Sequence, residues 1–386
     1  MKICLYPYTE GSGIGTYIIE LAAALSKHHD VHVIGEAKEL AEKNKLQFHQ
    51  VPSTLFALLR RVKQLPPFSL IEPFFFGPRL SALVNSIHPD IFHTADHLPY
   101  HTITVPIIGV AWDFPKRPRE CCKLAAKYSS VLLLPYRCIR EMEMSIKDHL
   151  ALQKVKLSLG ITHYVTNALA EKGYNVIYFP PGITLPEQKE KKKETKNETL
   201  TITFVGRHHI LTKRKGLRYL LDALAMVHDR NHSLQFTLQL IGEIPPRFTN
   251  VREKYSQLQI HVLGLLPREE ALAYIARSHL LVAPSLYDEF GYAVLEAQAL
   301  GTAALVSKHN PSFSELVDKE FTVDIYNPEE FSRVLEHLLS NKQRLISIGK
   351  DAKEFVKEYF WQRKIPALTK LYKDVYEDVL FSSLRP

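Results

Sequence analysis

Short apolar runs alternate with longer stretches of helical period along most of the chain. Ile3–Tyr8 is one such run; Ile18, Ile19, Leu21, Ala22 and Leu25 then recur on one side of the next stretch, and Val31–Ile34 is a second run. A short apolar run predicts a buried strand, and recurrence at three and four residues predicts a helix with one face on a core. The chain therefore opens with a strand, a helix and a strand. The same rhythm returns later: Leu200–Val205, an amphipathic helix through Leu217, Leu220, Leu221, Leu224 and Val227, then strands at Phe236–Ile241, Ile260–Leu263, His279–Ala283 and Thr302–Ser307. Between the halves, Asp90–His97 reads as a polar strand end, Pro106–Asp113 and Ser130–Leu134 as strands, and Glu141–Lys156 as a charged helix. A helical pattern through Leu368, Leu371, Tyr372, Val375 and Leu380 fills the tail, Phe355–Leu380. Alternation of this kind predicts layered α/β domains.

The most informative stretch is Pro284–Gly301. It predicts a loop, then a helix from about Gly291 that Gly301 stops, since glycine suits the left-handed position after a helix end. The helix is apolar apart from Glu296, so it belongs in a core. A carboxylate there needs a partner. The helix start at Gly291–Ala293 offers unpaired N–H groups, a natural seat for phosphate. Asp288 stands just before it. Plainer roles stay open: a helix cap for Asp288, and pairing with a neighbouring Arg or Lys for Glu296.

Two further stretches carry candidate chemistry. Gly11, Gly13, Gly15 and Thr16 follow the first strand, as a glycine loop does in dinucleotide folds, with Glu36 where a ribose-binding acid would sit. The glycine spacing departs from the dinucleotide fingerprint, because Thr16 takes the place of the last glycine. Arg207 follows the strand Leu200–Val205, and Lys213, Arg214, Lys215 and Gly216 precede a helix. Cations at a helix start are unfavourable unless an anion sits there. A bound phosphate would be such an anion. No Asp-x-Asp pair follows a strand.

Asp288, Phe290, Gly291 and Glu296 resemble the signature of family-4 retaining glycosyltransferases, Glu-x-Phe-Gly-x-x-x-x-Glu, with Asp in the first acidic position. The resemblance implies a GT-B fold: two Rossmann-like domains facing across a cleft, with a C-terminal helix crossing back to the first. It places an N-terminal acceptor-binding domain at 1–188, a donor-binding domain at 198–360 and the returning helix at 361–386. By the same resemblance, Glu296 grips the donor ribose and Asp288 contacts the donor sugar. Backbone near Gly291, Tyr292 and Ala293 holds phosphates. Arg207 and Lys215 hold the diphosphate, with Lys213 or Arg214 as a substitute for Lys215. Leu266 meets the base through its backbone, and Gly13, Gly15 and Thr16 lie close to the sugar and phosphates. Relatives carry His-Asp near the reacting centre where this chain has Trp112 and Asp113, so Asp113 stays a catalytic candidate; His93, at the end of the preceding strand, either lines the acceptor side as a further catalytic candidate or serves structure alone.

Composition narrows the context. The chain has 386 residues, enough for two domains, with 46% hydrophobic and 23% charged residues, normal for a soluble protein. Four cysteines, with Cys121 and Cys122 adjacent, form neither a disulfide framework nor a zinc spacing, and no signal peptide or spanning segment is evident. A cytoplasmic enzyme without metal or other cofactor is the expectation. The net charge of +8 lies partly in Lys189–Lys196, read as a solvated linker, and no nucleic-acid motif accompanies it. Leu55–Leu65 sets Arg60, Arg61 and Lys63 beside an apolar side; it suits a membrane surface or a core helix with a wet face. The partners implied are a nucleotide-sugar donor and a sugar, glycan or lipid-linked acceptor. Three rivals remain: a nucleotide-sugar epimerase, a nicotinamide-dependent oxidoreductase, and a catalytically silent nucleotide-sugar binder.

Overall fold

A computed structural model describes residues 1–8, 13–35, 46–50, 68–96, 102–111, 116, 134–185, 196–206, 213–245 and 248–383. The chain divides into two compact units. Met1–Gly182 and Trp361–Pro386 form the first, and Ile183–Phe360 forms the second. The division thus falls at Gly182, before the charged run rather than within it.

The first unit carries a parallel sheet of β1 (Lys2–Tyr8), β2 (Asp30–Gly35), β3 (Gln47–Gln50), β4 (Ile91–Thr94), β5 (Ile107–Ala111), β6 (Leu157–Gly160) and β7 (Val176–Tyr178), in the order β3-β2-β1-β4-β5-β6-β7. The second repeats the plan with β8 (Leu200–Gly206), β9 (Phe236–Gly242), β10 (Ile260–Gly264), β11 (Leu280–Ala283), β12 (Ala303–Ser307) and β13 (Thr322–Val323), in the order β10-β9-β8-β11-β12-β13. Parallel strands are covered on both faces, so their sequences are apolar throughout instead of alternating. All five residues of β5 and of β12 are buried accordingly. Each such Leu, Ile or Val contributes about 1.5–3 kcal/mol on burial.

In both sheets the chain steps outward from the first strand, then returns to the other side of it. The reversal lies between β1 and β4 in one unit and between β8 and β11 in the other. Loops leaving the carboxyl ends of strands at such a reversal form a crevice, the usual ligand seat in open α/β sheets. Residues 207–216 follow β8, and Pro284–Gly291 follow β11.

The tail helix, Trp361–Ser383, belongs to the first unit. Trp361, Leu368 and Tyr372 are buried there. Gly182 admits the Trp361 ring: a Cβ on Gly182 would lie 2.3 Å from it.

Several local expectations need correction. The glycine loop ends sooner than expected, because Gly13, Gly15 and Thr16 already form the first turn of the helix Gly13–Leu25. The charged helix runs over Leu134–Leu152, and Leu134 opens it instead of closing a strand. Apolar Leu157 and Leu159 then form the short strand β6. The tail pattern through Leu368, Leu371, Tyr372, Val375 and Leu380 falls within one helix, Trp361–Ser383, whereas Phe355 ends the preceding helix, Lys342–Phe355. Arg207, Trp112, Asp113, Glu36, Cys121, Cys122 and the stretch 55–65 lie outside the described residues.

Candidate active site

The second unit draws two of the predicted loops together. Lys213–Lys215 form a short 3-10 turn, and Gly216 caps the helix Leu217–Arg230 with φ 76°. A Cβ on Gly216 would lie 2.0 Å from the Pro284 carbonyl oxygen, so only glycine lets the two loops touch. The Leu286 amide donates to the Arg214 carbonyl at 2.8 Å and completes the join. As a result Lys215 Nζ pairs with Asp288 Oδ2. Arg214 Nη1 lies 4.0 Å from the other carboxylate oxygen and donates to the Tyr287 carbonyl at 3.4 Å. Asp288 Oδ1 accepts from the Glu289 amide at 3.2 Å.

The side chains of Lys215 and Asp288 are 15% and 25% exposed. Both groups are largely covered, so water screens the pair only in part. The pair sets a cation at the start of the helix Leu217–Arg230, where an anion is electrostatically favoured.

Gly291 caps the next helix, Tyr292–Ala299, with φ 94°. A Cβ there would stand 2.6 Å from the Phe313 ring, so both conformation and space demand glycine. Phe290 is buried and packs edge-on against Tyr292 at 5.3 Å. Its ring anchors the turn that opens the helix. Glu296 sits four residues along the helix from Tyr292, about 6 Å by helical rise. Its carboxylate is 13% exposed and accepts from Arg268 Nε at 3.0 Å and from Arg268 Nη2 at 2.8 Å, both on Oε1. The pairing of Glu296 with a neighbouring cation is thus realised, and the cation is one the motif did not point to. Arg268 opens the helix Arg268–Arg277 directly after Leu266 and Pro267, on the loop leaving β10. Leu266 is partly buried, beside the 61% exposed Leu265.

The first-unit candidates are placed differently. Gly13 is exposed at its helix start, with open space around it. Thr16 is partly buried and Gly15 buried. His93 is fully buried, at 0% exposure. Tyr17 Oη lies 2.9 Å from its Nε2, and Tyr372 Oη lies 2.8 Å from its Nδ1. Burial lowers its pKa to about 3, so the ring is neutral. Burial likewise pushes the Tyr17 and Tyr372 hydroxyls well above their ordinary range. One of the two hydroxyls donates to the ring and the other accepts from it, whichever tautomer is present. In this structure His93 ties the tail helix to β4 and to the Gly13–Leu25 helix.

Among the described residues no cluster of three His, Cys, Asp or Glu side chains has the arrangement to hold a metal ion. No helix among them is long and apolar enough to cross a membrane.

Comparison with known proteins bears on both halves. The family model described as Glycosyl transferases group 1 matches residues 199–341. That described as Glycosyltransferase Family 4 matches residues 11–109. Among curated proteins, the D-inositol 3-phosphate glycosyltransferase of Corynebacterium glutamicum (strain R) is 25% identical over 207 residues, 51% of this chain and 49% of that one. Its counterpart in Corynebacterium jeikeium (strain K411) is 26% identical over 214 residues, 53% of this chain and 50% of that one. The chain spans about half the length of the curated relatives it matches. Among solved structures, the sucrose-phosphate synthase of Thermosynechococcus elongatus superposes with a TM-score of 0.72 at 15% identity, covering 98% of this chain and 99% of that one. HepE of Anabaena, solved with UDP and glucose, gives 0.66 at 15% identity, covering 96% and 99%. The fold is thus that of the GT-B glycosyltransferases.

Proposed function

The chain belongs to the group 1, family-4 glycosyltransferases, and from that premise we propose that it moves a sugar from a nucleoside diphosphate donor to an acceptor hydroxyl with retention of anomeric configuration. The observation that carries this reading is the joining of the Lys213–Gly216 turn to the Pro284–Gly291 loop beside Glu296. The bond between the anomeric carbon and the phosphate oxygen breaks, and the diphosphate leaves with the electron pair. Lys215, released from Asp288, and Arg207 meet its growing negative charge. Amides at the start of the helix Tyr292–Ala299 add to that field. Asp288, freed in the same exchange, accepts from donor-sugar hydroxyls, and Glu296 accepts from the ribose. The acceptor hydroxyl attacks the face the phosphate leaves, and its proton passes to the departing phosphate oxygen. Side-chain cations, in this reading, do the work a divalent metal does elsewhere.

HepE was solved with UDP and glucose, which makes UDP-glucose the first donor to try; GDP-sugars are the alternative. The relatives' name makes an inositol phosphate one acceptor to try. A lipid-linked acceptor, and contact of residues 55–65 with a membrane surface from the cytoplasm, belong to the same reading.

The test is transfer from a panel of UDP- and GDP-sugars, with and without EDTA, with the product anomer read by proton NMR. Turnover that survives EDTA and retains configuration is expected. An inverted product, or activity that EDTA abolishes, would contradict the mechanism. Donor binding without transfer or hydrolysis would favour the silent binder.

A further inference from the structure

Arg268 engages Glu296 in a one-sided way. A guanidinium facing a carboxylate commonly spans both oxygens with two parallel bonds. Here Nε and Nη2 converge on Oε1, at 3.0 and 2.8 Å. Among the described residues Glu296 Oε2 has no donor, although the carboxylate is only 13% exposed. A third bond, from Arg268 Nη2 to the Thr184 carbonyl at 3.0 Å, fixes the plane of the guanidinium. Helix Tyr292–Ala299 offers Glu296 no other charge, since every other residue on it is uncharged. Arg268 therefore does two things at once: it balances the carboxylate and leaves one oxygen open.

We propose that Arg268 is a positioning residue for the donor nucleoside, clamping Glu296 through Oε1 so that Oε2 faces the ribose hydroxyls. The proposal rests on the reading of Glu296 as the ribose grip. Arg268 follows Leu266 and Pro267 directly, so one short stretch sets both the base-side loop and the ribose carboxylate. A lysine has a point charge and no planar fork, and cannot reproduce the paired bonds to Oε1 together with the third to Thr184.

The experiment is calorimetric titration with UDP, or GDP if wild type prefers it, beside inorganic pyrophosphate, which has no ribose. The variants are Arg268→Ala, Arg268→Lys, Glu296→Ala and the double variant Arg268→Ala with Glu296→Ala. Arg268→Ala should weaken nucleoside diphosphate binding about tenfold or more and leave pyrophosphate binding unchanged. Arg268→Lys should recover part of the loss, and covers the case in which the alanine variant folds poorly. The effect of Arg268→Ala should vanish in the Glu296→Ala background. In turnover, donor KM should rise with kcat near that of wild type. Equal loss toward pyrophosphate, or a full effect persisting without Glu296, would overturn the proposal. Unchanged nucleotide affinity in Glu296→Ala alone would instead overturn the ribose reading, and the proposal with it.

Discussion

Glu296, on the helix Tyr292–Ala299, and His93, on β4, are both site candidates in the sequence. The structure separates them. Glu296 keeps 13% exposure, and Arg268 occupies one of its oxygens. His93 has no exposure, and tyrosine hydroxyls occupy both of its nitrogens. A group with spare valence and an opening to solvent can receive a ligand. A group saturated by neutral partners holds structure. The same contrast runs through the two units, whose sheets share one strand order. The second unit gathers Arg214, Lys215 and Asp288 on loops after β8 and β11, with Glu296 on the helix that follows, all partly exposed, while the first gathers Tyr17, His93 and Tyr372 in its core.

Four substitutions sharpen this contrast. The largest effect is expected from Lys215→Ala, which removes a cation from the leaving diphosphate. Transfer kcat/KM should fall about 100-fold or more, read in steady-state kinetics, with little change in melting temperature. Glu296→Ala should come next. It loses charge-assisted bonds to ribose and should raise the nucleoside diphosphate Kd by about 10- to 100-fold.

Gly291→Ala strikes stability and site together. A side chain at φ 94° is strained, and its Cβ meets Phe313. A loss of about 1–3 kcal/mol or more is expected in urea unfolding, with weakened donor binding, because the helix start must move.

His93→Phe should cost about 1–3 kcal/mol by leaving the Tyr17 and Tyr372 hydroxyls buried without their partner, and should leave donor affinity unchanged. It also carries a pH signature. The folded His93 has its pKa lowered to about 3, from 6.5 in an unfolded chain. Between those values the unfolded state binds the extra proton. The stability tied to the neutral ring is complete above pH 6.5 and drains away as pH falls toward 3. The phenylalanine variant lacks that loss, so the stability gap between wild type and variant should narrow from pH 7.5 to pH 5. A gap that widens would contradict the neutral, buried ring.

What the sequence revealed was mostly local. The helix Tyr292–Ala299 was legible because glycines bound it, and both take positive φ, 94° at Gly291 and 75° at Gly301. The strands were legible because parallel sheets bury whole runs. Arg268 was not, since the bond to Glu296 spans 28 residues and nothing in the motif points to it. His93 looked like a candidate because the helix that covers it comes from Tyr372, 279 residues away. Tertiary contacts at such separations leave no periodicity to read. The start of the helix Gly13–Leu25 was missed for the opposite reason: glycines suggest a loop, yet the first turn of a helix accepts them next to a strand end.

The central claim is that the second unit holds a nucleoside diphosphate sugar at the loops after β8 and β11. Thermal stabilisation of the whole chain by UDP-sugars, GDP-sugars, ADP-glucose, free diphosphates and NAD(H), without metal, tests it most directly. The account predicts a melting shift with one nucleoside diphosphate class, lost in Lys215→Ala and Glu296→Ala and kept in His93→Phe. A shift with NAD(H) alone, or a nucleotide shift that survives both second-unit substitutions, would contradict it.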